Sequence, residues 1–104
     1  MKSSRSLRFT PEAEEDIRQI LQYTRDTWGE AQRDRYEAAL ERVFYLLIDF
    51  PDLGRKRFEG HVLSYRAREH VIYYRISSSE IAVLRVLHKK QDIREIDLPS
   101  GTED

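Results

Sequence analysis

Apolar and polar positions change period halfway along the chain. Leu7-Arg8-Phe9 alternates and predicts a short strand. Thr10-Pro11 follows as a helix start, a hydroxyl N-cap with proline at N1, where the missing N–H costs nothing. Glu12, Glu14, Glu15 and Asp16 crowd the first turn, where the helix dipole favours negative charge. Ala13, Ile17, Ile20, Leu21, Thr24 and Trp28 fall on one helical face, and Gly29 supplies the stop. A second helix is predicted over residues 30–49. Its stripe is Ala31, Tyr36, Ala39, Leu40, Val43, Phe44, Leu47 and Phe50, with Arg33, Asp34, Glu37, Glu41 and Arg42 turned to solvent. Pro51 prevents its continuation. With only Gly29 between them, the helices must fold back as an antiparallel hairpin, with Trp28 near the corner.

The second half supplies a flat partner for that hairpin. Residues 61–66, 71–76 and 81–88 are rich in Val, Ile, Leu and Tyr and read as strands. Ser77-Ser78-Ser79-Glu80 is a polar turn between two of them, which makes an antiparallel pair. Ile81-Ala82-Val83-Leu84 is apolar on both faces, so the last strand belongs in the sheet interior. Its register depends on turn length, and one residue of slip would exchange the faces of Arg75 and Arg85. The pattern predicts an α+β fold, β-α-α-β-β-β, with a helical hairpin packed on a mainly antiparallel sheet. Residues 1–98 are expected to form one domain and 99–104 a frayed tail. Trp28, Tyr36, Tyr45, Phe50, Ile17 and Leu40 are read mainly as core.

Composition narrows the chemistry. A chain of 104 residues with no cysteine has no disulfide, thiolate metal site, iron–sulfur cluster or cysteine nucleophile. At 39% hydrophobic residues it is too apolar for a disordered chain, despite a charged fraction of 36%. A net charge of −1 argues against general coating of nucleic acid by bulk charge. The longest clear apolar run, residues 43–48, is far too short to span a membrane. No apolar run follows the first five residues, so no secretory signal is expected and the cytoplasm is the expected location. The four glycines form no phosphate-cradling loop. His61, His70 and His88 lack local metal-ligand spacing, and Ser77–Ser79 lack an elbow sequence. Neither cofactor nor metal is expected.

The charge that remains is segregated. From position 55 to 94 the bases are Arg55, Lys56, Arg57, Arg66, Arg68, Arg75, Arg85, Lys89, Lys90 and Arg94, against Glu59, Glu69, Glu80 and Asp92. Such a basic half reads either as solvated strand edges or as a surface for a polyanion or acidic partner. The candidates for that surface are Arg55, Arg57, Arg66, Arg68, Lys89, Lys90 and Arg94. His88-Lys89-Lys90 allows a further reading: a histidine among cations could move protons and stabilise a phosphorane during metal-free RNA cleavage.

Thr10-Pro11-Glu12-Ala13 with Asp16-Ile17, Tyr23-Thr24, Trp28-Gly29, Ala31-Gln32 and Tyr36 form an ordered series. Pro51-Asp52-Leu53-Gly54-Arg55, Tyr65-Arg66, residues 70–75 (His-Val-Ile-Tyr-Tyr-Arg) and Val86-Leu87-His88 with Asp92 continue it. In this order and spacing the chain resembles the ParE toxins of bacterial type II toxin–antitoxin modules, within the RelE/ParE superfamily. The resemblance implies the same β-α-α-β-β-β fold, inhibition of DNA gyrase, and neutralisation by a ParD-type antitoxin. It implies a binding inhibitor rather than an enzyme, with no sequence-specific DNA binding by the toxin alone. Related RelE toxins instead cut mRNA on the ribosome, many with a tyrosine near the C-terminus. No tyrosine follows Tyr74 here, which leaves His88, Lys89, Lys90 and Arg94 as the set for a nuclease. Ser64-Tyr65-Arg66 also stands where Gly-Tyr-Arg is common. A third reading is a non-toxic module that keeps only the antitoxin contact.

Overall fold

The computed structural model describes residues 5–57, 61–91 and 98. Strand β1 (Ser6–Phe9) runs through Thr10 into helix α1 (Pro11–Trp28). Thr10 performs two tasks. Its hydroxyl accepts the Ala13 N–H (3.1 Å) as the N-cap and donates to the Leu84 carbonyl (2.8 Å), tying the helix start to the sheet. Gly29 alone separates α1 from α2 (Glu30–Asp49), at φ +98°, where a side chain would be strained. Its N–H closes α1 on the Arg25 carbonyl and its own carbonyl accepts the first bond of α2, from Arg33.

After a 3₁₀ turn at Pro51–Leu53 come β2 (Arg55–Arg57), β3 (Val62–Ala67), β4 (His70–Ile76) and β5 (Glu80–His88). They form one five-stranded sheet in the order β1-β5-β4-β3-β2. Every neighbouring pair is antiparallel except β1 with β5. The helical hairpin covers one face, burying Leu21, Leu40, Phe44 and Leu47 against Leu63, Ile72, Tyr74, Ile81, Val83 and Val86. On the opposite face Val62, Tyr73, Ala82, Leu84 and Leu87 form a second cluster, against which Val71 and Leu98 pack.

The predicted α+β architecture stands, with β5 interior as expected, and three corrections follow. Strand β2 was absent from the predicted order, because Arg-Lys-Arg carries no apolar alternation. Its strand conformation comes from backbone pairing with β3 at the sheet edge. Trp28, Tyr45 and Phe50, read as core, are exposed at 69%, 67% and 58%. Trp28 lies on the buried stripe but in the last turn, and it walls a groove instead of a core. Tyr45 sits one residue, about 100° of helix, past buried Phe44, and Phe50 follows the end of the helix. Ala31, at the start of the second stripe, is likewise exposed. The predicted tail at 99–104 lies outside the described residues.

A bulge settles the register of β5. Tyr74 faces Val83 and Tyr73 faces Arg85, so Leu84 is the extra residue. Regular alternation would have set Arg85 against Ile72, among the residues beneath the helices. The bulge sets Arg85 opposite Tyr73 instead, at the strand edge that Asp16 of α1 reaches, and returns Val86 to the core.

Candidate functional site

The tip of the sheet, where the β3–β4 turn meets the end of β5, gathers several of the sequence candidates. Arg68 makes the turn at φ +57°, and its carbonyl accepts from Arg66 Nε (2.6 Å). Glu69 holds the neighbouring strand end twice: its carbonyl accepts the Lys89 N–H (2.8 Å) and its carboxylate pairs with Lys89 Nζ (2.8 Å). The lysine keeps the Glu69 carboxyl below the usual carboxylate range. Lys89 is therefore engaged within the chain, while Lys90 is exposed beside it.

The β4–β5 register sets His70 against His88, with ring centroids 5.4 Å apart. Tyr36 of α2 reaches down to them. Its hydroxyl accepts the Glu69 N–H (3.3 Å) and lies 2.6 Å from His70 Nδ1. Tyr36 Oη therefore bridges the β3–β4 turn and the His70 ring. Burial, with His88 alongside, pushes the His70 pKa down to about 4. Burial likewise raises that of Tyr36. His88 Nδ1 accepts the Lys90 N–H (3.1 Å), and the His88 N–H donates to Gln91 Oε1 (2.9 Å). Neutral His88 therefore holds its proton on Nε2.

These histidines line one end of a groove of about 450 Å³ between α1, the start of α2 and the last residues of β5. Ile20, Tyr23, Trp28, Val86 and Leu87 provide its apolar wall, and Gln19, Gln32 and Gln91 its polar rim. Its other end is closed by Asp16, whose carboxylate accepts two bonds from Arg85 (2.7 and 2.9 Å) and one from the Val86 N–H (3.0 Å). β1 pairs with β5 only as far as Val83, so Asp16 satisfies the strand edge that β1 leaves open. The carboxylate raises the pKa of the Arg85 guanidinium further.

Of the predicted basic set, Arg66, Arg68, Lys89 and Lys90 share the tip with His88. Arg55 and Arg57 lie apart, on β2 at the far sheet edge. Arg94 lies outside the described residues. Sequence reasoning passed over Tyr36, read as core, and His70, set aside with the other histidines. Their signal was the strand pairing itself, which brings positions 70 and 88 together. His61, at the other end of β3, remains separate. Among the described residues no three His, Asp or Glu side chains gather as metal ligands. None of the described helices is long and apolar enough to cross a membrane.

A helical hairpin on an antiparallel-dominated sheet, with an aromatic groove at its tip, defines a small α+β domain. Residues 7–93 match the model of the ParE toxin of the type II toxin–antitoxin system parDE, and the chain belongs to that family. It is 33% identical over 88 residues to Toxin ParE of Escherichia coli, covering 82% of this chain and 85% of the relative. To Toxin ParE1 of Mycobacterium tuberculosis it is 33% identical over 95 residues, covering 88% and 95%. The fold is similar to a chain of the chromosomal ParDE toxin–antitoxin system from P. aeruginosa. The TM-score there is 0.70 at 19% identity, covering 82% of this chain and 96% of the other. It is also similar to a chain of the toxin–antitoxin complex RelBE2 from Mycobacterium tuberculosis, with a TM-score of 0.63 at 22% identity, covering 84% and 100%.

Proposed function

We propose that this ParE-type toxin inhibits DNA gyrase by binding it and is neutralised by a ParD-type antitoxin whose segment lies in the groove at the sheet tip. The groove carries the antitoxin half of the proposal. Trp28 and Tyr23 stand exposed beside it, and aromatic anchors of this kind dominate protein interfaces when a partner buries them. The similar structures belong to toxin–antitoxin systems, which supports the same reading. Trp28 is the single tryptophan, so its emission reports docking directly. Titration with the antitoxin should shift that emission to the blue, and Trp28→Ala should weaken the complex by about 10²-fold. Apolar burial should hold the complex at about 0.5 M salt, where exposed charge pairs are screened. Complete dissociation at that salt would remove the groove from the account.

The gyrase half rests on family membership and on the hydrogen positions at the tip. A nuclease of the alternative kind needs a base for the 2′-hydroxyl, and His88 Nδ1 is already occupied by the Lys90 N–H. Purified toxin with gyrase, ATP and supercoiled plasmid should yield linear DNA. His88→Ala should leave this nearly intact, whereas charge reversal at Lys89, Lys90 and Arg94 together should abolish it through lost target binding. Ribosome-dependent mRNA cuts that vanish in His88→Ala, with gyrase unaffected, would overturn the reading in favour of the nuclease.

A further inference from the structure

The two edges of the sheet are protected differently. At one edge β2 is Arg-Lys-Arg, and such a run of charge discourages pairing with another chain. At the other edge β1 is bonded on one side only, to β5. The Ser6 N–H donates to the Ser79 carbonyl (3.0 Å) and the Thr10 N–H to the Val83 carbonyl (3.1 Å). Backbone groups alternate along a strand, so Ser6, Arg8 and Thr10 turn theirs toward β5. Leu7 and Phe9 turn theirs outward, and among the described residues no donor or acceptor meets them.

The side chains of Leu7 and Phe9 pack, half-buried, against the core beneath the helices. Phe9 meets Phe44 edge to face, with ring centroids 5.0 Å apart. Beside them lies a second groove of about 360 Å³ between β1, α1 and α2, its apolar floor completed by Ile17 and Leu40. Tyr45, one of the exposed aromatics of α2, stands at its side. Three carboxylates rim it: Glu14 on α1, and Glu37 and Glu41 one turn apart on α2. Among the described residues no basic side chain lines it. Arg33 pairs with Glu37 (2.7 Å), whereas Glu14 and Glu41 are exposed and have no counterion among the described residues. An apolar floor under an uncompensated acidic rim favours an occupant that is apolar at its centre and cationic at its ends.

We propose that the β1 edge and this groove dock an extended segment of a partner protein, apolar at two alternate positions and carrying Lys or Arg at each end. Added antiparallel to β1 as a sixth strand, the segment bonds to Leu7 and Phe9 through its backbone. Its side chains directly opposite Leu7 and Phe9 share their face and enter the groove. The next positions along that face come within reach of the rim carboxylates. The position between the two apolar residues lies opposite Arg8, which Glu80 already neutralises (2.9 Å), and takes a neutral polar side chain. A second copy of the chain is a poor occupant. Pairing β1 with itself about a two-fold axis sets two acidic rims against each other. The groove at the sheet tip shares no lining residue with this one, so the proposal holds whatever occupies the tip.

The test is fluorescence anisotropy of the full chain with a capped, labelled peptide of sequence Lys-Thr-Val-Thr-Val-Thr-Lys. It should bind saturably, with a Kd below about 1 mM at about 50 mM salt. Glu14→Lys with Glu41→Lys should weaken binding at least about tenfold. Glu41→Gln alone should weaken it about threefold, which keeps the test decisive should the double variant fail to fold. Methylating the two valine amides, which an antiparallel segment turns toward β1, should cost about tenfold or more, a loss that a purely ionic contact would not show. A peptide with Glu at both ends should not bind. The proposal is overturned by no saturable binding of the lysine peptide, or by equal binding of the methylated or Glu-ended one. Loss of binding in Trp28→Ala would overturn it in favour of the tip groove, and displacement by the antitoxin would give the edge to that protein. Sedimentation showing a dimer that excludes the peptide would give it to a second copy.

Discussion

The two sides of the sheet treat charge in opposite ways. At the β1–β5 side, Arg8 pairs with Glu80 and Arg85 with Asp16, and the Asp16 carboxylate also caps the strand edge. At the β2–β4 side, Arg55, Arg57, Arg66 and Arg75 have no carboxylate among the described residues. The first arrangement fixes the helical hairpin on the sheet, because Asp16 belongs to α1 and Arg85 to β5. The second contributes nothing of that kind to the fold. Charge that stabilises is satisfied internally; charge held open is available to a partner.

The comparison breaks most readily at Asp16. Asp16→Ala removes three hydrogen bonds and leaves the Arg85 guanidinium, 21% exposed at its side chain, without its partner. The expected loss is about 2–4 kcal/mol in urea unfolding. Asp16→Asn should recover part of it, since an amide oxygen still accepts from the Val86 N–H. Equal stability of the Ala variant and the parent would show that the pair does not clamp the hairpin.

The next effect depends on pH. His70 titrates at about 4 in the folded chain, against an ordinary value near 6.5. Between those values the unfolded chain binds the proton that the folded chain refuses. Stability should therefore rise from pH 4 to 6.5 and level off above, by at most about 3 kcal/mol. Urea midpoints for the parent and for His70→Gln should diverge in slope over this window. Parallel curves would mean that burial and the neighbouring His88 do not hold His70 neutral.

Tyr74 gives a smaller effect at the base of the basic side. Its buried hydroxyl donates to the Pro51 carbonyl (2.7 Å) and accepts the Gly54 N–H (3.0 Å), pinning the 3₁₀ turn ahead of β2. Tyr74→Phe should cost about 1–2 kcal/mol. Gly54→Ala should be comparable or worse, because a Cβ there would meet the Tyr74 hydroxyl and stand 2.9 Å from the Ser64 carbonyl. The smallest change is expected at β2: Arg57→Gln should leave unfolding within about 0.5 kcal/mol of the parent. A large loss there would place Arg57 with the structural charges and erase the contrast.

Local chemistry determined much of this protein directly. Thr10-Pro11, Gly29 and Pro51 punctuate the helices because each imposes or permits a backbone geometry that its neighbours disfavour. The buried stripe through Leu21, Leu40, Phe44 and Leu47 follows from helical periodicity, and the three longer strands after the hairpin from their apolar runs. Family resemblance was legible for the same reason, being carried by these signals in a fixed order. Other features required the tertiary structure. Three basic residues became β2 only because β3 offers backbone partners. Trp28 fell outside the core because the stripe outruns the surface available to cover it. The bulge at Leu84, which no alternation in the sequence marks, decided where Arg85 points and allowed Asp16 to seal the strand edge. Pairing across β4 and β5 joined His70 to His88, and pairing across β2, β3 and β4 put the unpaired arginines on one face. Those relations join positions from about five to seventy residues apart, and only the packed sheet sets their register.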